Sequence, residues 1–265
     1  MIKFRKLTAQ GNDYVYIDQR LEVLTEIDWN LLAKQVSDRH FGIGADGLVL
    51  LFPSEIADVK MTMYNADGSE GLMCGSALRS LVYILEEESE KGNYKIETAS
   101  GIKRGWIEEI NGEKMIAVSL GKAQLLSWES DDDELLSIVD IGNHHQVRYL
   151  NDIDGFDLQT RMKELLPEFE NEDWNFEFIE IDKANMIRME VWENGSGATL
   201  ACGTGAGASV FAGWESGRLQ KQRIEVKMPG GSVFVEEKDD EIILIGKVED
   251  VFRGEWTKSG GRVIL

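Results

Sequence analysis

The sequence predicts an α/β fold in two pseudo-symmetric halves, each carrying one thiol, and three observations point to it. Strand-like alternation and helix-like spacing follow one another along the chain. The 265 residues, 43% of them hydrophobic, can bury one large core or two of ordinary size. Most telling, the segment from Met61 repeats without gaps in the segment from Met189. In that overlay Tyr64 meets Trp192, Cys74 meets Cys202, Gly75 meets Gly203 and Ser76 meets Thr204, at a constant offset of 202 − 74 = 128 residues. The halves are placed at residues 1–120 and 121–255, the first completed by a C-terminal strand at about 256–265.

Taken in order, Ile2 to Leu7 alternates apolar and basic residues as an edge or half-buried strand does. Gln10-Gly11-Asn12-Asp13 breaks it before the apolar Tyr14-Val15-Tyr16-Ile17, giving strand, turn, strand. Helical spacing over Trp29 to Arg39 is followed by Gly42, Gly44 and Gly47, which lead into the strand-like run Leu48 to Phe52. A second helix is expected from Gly75 to about Glu90, with Ala77, Leu78, Leu81, Val82 and Leu85 apolar and Gly92-Asn93 as its stop. Later segments repeat these types. The acidic stretch Glu129 to Glu134 reads as a solvated connection near the domain boundary.

Composition excludes several classes of function. A formal charge of −20 would repel phosphate backbones, and the 28 Lys and Arg residues are scattered, so nucleic acid is not expected as a partner. No run of eighteen apolar residues suggests a membrane span, and the N-terminus has no apolar stretch ahead of a cleavage site, which makes the cytoplasm the expected compartment. Three histidines and two cysteines without close ligand spacing predict no zinc site, acidic oxygen ligands aside. In a reduced compartment the two cysteines are not expected to form a disulfide.

Each cysteine ends a stretch rich in glycine and small polar residues and precedes a helical pattern, so both thiols are expected at helix N-termini. Unpaired N–H groups and the positive end of the dipole there lower a thiol's pKa and cradle a carboxylate. Gly75 and Gly203 permit close backbone approach, and Ser76 and Thr204 can cap or donate. Two thiols on opposite faces of one carbon suit a 1,1-proton transfer that inverts it: one thiolate removes the α-proton and the other thiol returns one. The competing reading is that both are simply small buried residues, as free cysteines usually are.

These motifs resemble the diaminopimelate epimerase family along nearly the whole chain. The resemblance is carried by Gln10-Gly11-Asn12-Asp13, by the block from Asp38 to Gly47, by Asn65-Ala66-Asp67-Gly68-Ser69-Glu70 and by Met73-Cys74-Gly75. It continues through Gly142-Asn143, Gly195-Ser196-Gly197, Ala201-Cys202-Gly203-Thr204-Gly205-Ala206 and Pro229-Gly230-Gly231. The resemblance implies two domains, each a curved mixed sheet around a central helix, with the active site in the cleft between them. It also implies an amino-acid substrate, no pyridoxal phosphate or other cofactor, no metal, and a homodimer as the assembly to entertain. By position, Asn12, Asn65, Asn143 and Asn175 match the family's substrate-holding asparagines, the last more loosely. His145 and Glu193 match its thiol-tuning histidine and glutamate. His40, by contrast, is expected to support a loop rather than the chemistry.

Four departures cluster around the implied pocket. Members acting on diaminopimelate usually carry Glu-Arg where this chain has Glu193-Asn194, and the Arg binds the substrate's distal carboxylate. A neutral Asn forgoes that charge-assisted pair, worth about 1.5–3 kcal/mol. Asn-Pro-His becomes Asn143-His144-His145, Cys-Gly-Asn-Gly-Ala-Arg becomes Cys74-Gly75-Ser76-Ala77-Leu78-Arg79, and a Glu becomes Ala198. These point to an amino acid without a distal carboxylate. Trp192-Glu193-Asn194 is similar to the corresponding site of histidine racemases in the same superfamily, so histidine is the favoured substrate. The alternatives are a genuine diaminopimelate epimerase, LL to meso, and a catalytically silent binding protein of the same fold.

Overall fold

The computed structural model describes residues 1–21, 23–71, 73–131, 134–169 and 173–257. The chain divides into two compact units, one of Met1–Val118 plus a segment beginning at Lys247, the other of Ser119–Gly246.

The first unit opens with the antiparallel hairpin β1 (Ile2–Ala9) and β2 (Asn12–Asp18). Its loop residues Gln10 and Gly11 both take positive φ, 54° and 84°, as a two-residue loop matched to strand twist requires. Helix α1 (Trp29–Ser37) starts where Asp28 Oδ1 accepts from the Leu31 N–H at 3.0 Å. It buries Leu32, Ala33 and Val36 against Ile2, Phe4, Val15, Ile17, Leu48 and Leu50, and its crossover brings β3 (Gly47–Phe52) parallel to β2. Strand β4 (Val59–Asn65) returns antiparallel, and the two-residue β5 (Glu70–Gly71) folds onto it. Helix α2 (Gly75–Ser89), closed by Glu90 in left-handed conformation, then leads to β6 (Asn93–Thr98) parallel to β4. Strands β7 (Gly101–Ile110) and β8 (Glu113–Gly121) follow as an antiparallel meander.

The second unit repeats this order. Strands β9 (Gln124–Asp131) and β10 (Glu134–Asp140) pair antiparallel, as do β10 and β11 (His144–Tyr149). A crossover through α3 (Leu158–Leu165) brings β12 (Trp174–Lys183) parallel to β11. Then come β13 (Met186–Glu193), the short β14 (Gly197–Thr199), and α4 (Gly203–Glu215), which delivers β15 (Ile224–Met228) parallel to β13. Strands β16 (Gly231–Lys238) and β17 (Glu241–Gly246) complete the meander. Both units thus have one parallel pair across a small helix and a second across the cysteine-bearing helix, and α2 and α4 begin 203 − 75 = 128 residues apart. The predicted two-fold repeat of a mixed α/β sheet is the fold.

Helix α4 packs on β10, β11, β12, β13, β15, β16 and β17. Seven strands laid flat would span about 29 Å, while a helix with side chains is about 10 Å across. The sheet therefore curls around the helix. Apolar small residues suit that central place: Ala206, Ala208, Val210 and Ala212 are all buried. Helix α2 is held in the same way by β1, β2, β6 and β7.

Three expectations need adjusting. The strand that completes the first unit is β18 (Glu249–Trp256), antiparallel to β1, residues that a boundary at 255 assigns largely to the second unit. Of the segment 256–265, residues 258–265 lie outside the described ones. Of the two readings for β1, the half-buried strand holds and the edge does not, since β2 and β18 lie on its two sides. Finally, Glu129 to Glu134 belongs to the β9–β10 hairpin, with Asp131 opposite Glu134, rather than to a domain connection; residues 132 and 133 lie outside the described ones. No helix among the described residues is long and apolar enough to cross a membrane.

Candidate active site

Cys74 and Cys202 are the N-cap residues of α2 and α4. Both have extended backbone, φ −139° and −126°, because each comes out of a short strand-like segment and turns into a helix whose first residue is glycine. The two neighbourhoods differ in sign.

In the first unit Cys74 is half-buried and accepts from Asn12 Nδ2 at 3.5 Å. The buried Tyr14 hydroxyl also hydrogen-bonds to it; burial first, then Cys74, holds the Tyr14 pKa well above the ordinary phenol value. Arg79, only 1% exposed, sits one turn and a half along α2 and places Nη2 3.3 Å from Ser76 Oγ. Its Nε and Nη1 meet no acceptor, and burial lowers its pKa to about 10, against the opposing pull of Cys74 and Tyr16. Ser76, expected to face substrate, is instead buried and turned onto Arg79. Asn65 is exposed and donates to Ser69 Oγ at 3.0 Å. The block around His40 braces a loop: Asp38 Oδ1 accepts from His40 N–H and Phe41 N–H, both at 2.8 Å, while Arg39 bridges Asp13 and Asp46.

In the second unit Cys202, 3% exposed, accepts from the Gly205 N–H at 3.4 Å and lies 3.5 Å from Thr204 Oγ1. Its thiol hydrogen-bonds to Glu193, which also accepts from Thr199 Oγ1. The expected lowering of its pKa by the helix N-terminus does not hold here. Burial, then the Glu193 and Glu177 charges, push the Cys202 thiol well above its ordinary value, and the Thr204 and Gly205 hydrogen bonds offset this only partly. Half a unit of helix charge is a smaller influence than two carboxylates facing a dry thiol.

His145 is fully buried and makes two ring contacts, Nδ1 to Glu177 Oε1 at 2.6 Å and Nε2 to Asn143 Oδ1 at 3.0 Å. Asn143 Nδ2 in turn reaches Thr204 Oγ1 at 3.5 Å. Asn143 and Thr204 thus stand between the histidine and Cys202. Asn175 spends its amide on the chain, donating to the His144 carbonyl at 3.0 Å and accepting from the Asn194 N–H at 3.1 Å. It thereby fixes the exposed Asn194, whose Nδ2 donates to Asp173 Oδ1 at 3.0 Å. His144 packs on Trp174, ring centroids 5.1 Å apart. Gly75 and Gly203 are the first, buried residues of their helices. Among the described residues no three His, Cys, Asp or Glu side chains are grouped to hold a metal ion.

Sequence reasoning missed Tyr14, Arg79 and Glu177. The signal for Glu177 was present: strand alternation puts it on the face of Asn175, a lone charge in an otherwise apolar stretch. A Cβ on Gly205 would stand 2.5 Å from Glu177 Oε1. Gly205→Ala is therefore expected to cost about 1–3 kcal/mol, measured as a lower urea midpoint, since the His145 bond keeps the carboxylate from moving aside.

Burial raises the Glu193 pKa above the ordinary carboxylate value, the Thr199 and Cys202 hydrogen bonds opposing it. A folded-state value above the unfolded one gives stability that is full below the unfolded pKa and lost as pH rises through the folded one. Glu193→Gln, which never ionises, should remove that decline. Its urea midpoint relative to wild type should improve from about pH 4 to pH 7, while turnover falls by about 10²-fold or more. A relative midpoint that does not change with pH would contradict it.

Residues 4–126 and 137–251 match the family model described as diaminopimelate epimerase. A diaminopimelate epimerase from Methanococcus maripaludis is 37% identical over 281 residues, covering 96% of this chain and 99% of that one. One from Carboxydothermus hydrogenoformans is 38% identical, with 96% and 99% covered. Among solved structures, a Bacillus anthracis phenazine biosynthesis protein of the PhzF family matches with TM-score 0.74 at 18% identity, covering 95% of this chain and 97% of that one. A probable proline racemase from Agrobacterium radiobacter matches with TM-score 0.71 at 15% identity, covering 98% and 94%. Those two likenesses show the shared fold. With two N-cap thiols in repeated units and a match over nearly its whole length, the chain belongs to the diaminopimelate epimerase family.

Proposed function

We propose that this protein is a cofactor-independent cytoplasmic racemase that inverts the Cα of an amino acid lacking a distal carboxylate, histidine first among them, by proton transfer between Cys74 and Cys202. The chain is an isomerase of the epimerase and racemase class, as its family membership states. In the proposed reaction one thiolate takes the α-proton and the other thiol returns a proton to the opposite face. The N–H groups opening α2 and α4 stabilise charge that develops at the carboxylate. The chemistry asks for no electron sink beyond these, hence no pyridoxal phosphate and no metal.

The observation that carries the substrate class is Asn194 with its amide on Asp173. Where members acting on diaminopimelate hold an Arg, this chain presents a neutral amide braced by a carboxylate. A distal carboxylate brought there would meet like charge, whereas an imidazolium or a neutral ring would not. The Trp174 and His144 rings nearby suit a flat side chain. Against this stands a second reading with its own support: relatives 37–38% identical across 96% of the chain are named diaminopimelate epimerase. Deuterium incorporation at Cα in deuterated water, across the L-amino acids and the diaminopimelate isomers, decides between them. The proposed reading expects exchange at histidine far faster than at diaminopimelate; the reverse order establishes the second, and exchange at none leaves the silent binding protein.

A further inference from the structure

We propose that Glu177 is a positioning residue for the proton transfer: seated behind His145 and under the first turn of α4, it fixes the imidazole and supplies negative charge behind Cys202. This rests on the racemase reading above.

Both Glu177 and His145 are wholly buried, 2.6 Å apart. A carboxylate so far from water persists only beside a compensating donor or charge, and among the described residues that donor is His145 Nδ1. The other ring nitrogen faces Asn143 Oδ1. Facing a carboxylate, Nδ1 is the donor of the pair, which fixes the orientation of the ring. Asn143 Nδ2 and Thr204 Oγ1 extend the contacts to the Cys202 sulfur. Glu177 is thus the far end of a chain of polar groups that finishes at the reacting thiol.

Two further observations mark the seat as built. Gly205, in the first turn of α4, has no side chain where a Cβ would lie 2.5 Å from Glu177 Oε1, so the helix is open at the one point where the carboxylate approaches. And Glu177 Oε2 is buried with no hydrogen-bond partner. An unsatisfied charged oxygen costs stability, and a purely structural residue would be served better by glutamine or an apolar side chain. Cys202 is faced by Glu193 from β13 and Glu177 from β12, with the Gly205 N–H of α4 at 3.4 Å and His145 on β11 behind Glu177. The two carboxylates put negative charge around Cys202, which favours thiol over thiolate. Cys202 then rests as the proton donor.

The test uses the single-cysteine protein Cys74→Ser, in which Cys202 is the only thiol, so the pH dependence of iodoacetamide alkylation reads its ionisation. Adding Glu177→Gln is expected to move the midpoint down by about one pH unit or more, and Glu177→Asp to return it toward the parent value. In the two-cysteine protein Glu177→Gln should lower kcat by about 10-fold or more with KM little changed. A folded Glu177→Gln protein with the parent midpoint overturns the proposal. Should that variant fail to fold, the full-length wild type labelled with nitrogen-15 histidine answers instead. His145 Nδ1 is expected to carry its proton toward Glu177 at neutral pH, and a bare Nδ1 overturns the proposal. Neither readout needs turnover, so an inactive wild type would refute the racemase reading alone.

Discussion

Cys74→Ala and Cys202→Ala are each expected to abolish inversion, lowering turnover by about 10⁴-fold or more, with the far-ultraviolet circular dichroism of wild type retained. Inversion needs a base on one face of Cα and an acid on the other, and a methyl group is neither. Half-buried Cys74 and 3%-exposed Cys202 leave only small voids when cut back to alanine, so the fold should survive. The two serine variants should differ from each other. Cys202→Ser puts a weaker acid at a position whose surroundings already favour the protonated form, so it retains little proton donation but still allows Cys74 to abstract. Cys74→Ser removes the sulfur to which Asn12 and Tyr14 donate, leaving at Cys202 a thiol that resists ionising. Cα–H exchange of single enantiomers, followed by nuclear magnetic resonance, separates these cases. Either alanine variant turning over near the wild-type rate would remove the two-thiol mechanism.

The positions of the thiols were legible because helix initiation is local. A glycine and a hydroxyl residue followed by apolar positions three and four apart place each cysteine at an N-cap, and both are found there. The repeat was legible too, since a fixed offset of identical residue types survives without knowledge of pairing. What stayed hidden was non-local. Cys202 owes its charge environment to Glu177 on β12 and Glu193 on β13, and which strands neighbour α4 follows from sheet order, not from any stretch of sequence. Ser76 sits at the right spacing to meet a ligand, but the buried Arg79 three residues on claims its hydroxyl. The completing strand β18 was placed late because Glu249 to Glu255 has no buried residue and its partner β1 lies at the opposite end of the chain.

Asn194→Arg is expected to lower activity on the native substrate by about 10-fold or more, because a guanidinium would stand where the substrate offers it no carboxylate. The structure sets a condition on the gain. Asp173 Oδ1 accepts from Asn194 Nδ2 at 3.0 Å and would capture the new Arg as an ion pair, so the single change should add little epimerisation of diaminopimelate. Removing that competitor as well, in Asn194→Arg with Asp173→Asn, frees the guanidinium for a distal carboxylate, and a charge-assisted pair of about 1.5–3 kcal/mol corresponds to about a 10- to 100-fold shift in relative kcat/KM toward diaminopimelate. Asp173→Asn alone tests the other half: an imidazolium side chain should lose affinity, while a neutral one should not. Because Asn175 fixes position 194 through its backbone N–H, none of these changes needs the loop to move. Competition between histidine and diaminopimelate, read as the ratio of kcat/KM values in wild type and the three variants, measures all of this at once. Efficient epimerisation of diaminopimelate by the wild type, with histidine untouched, would assign the distal carboxylate to some other residue and make Asn194 a neutral replacement.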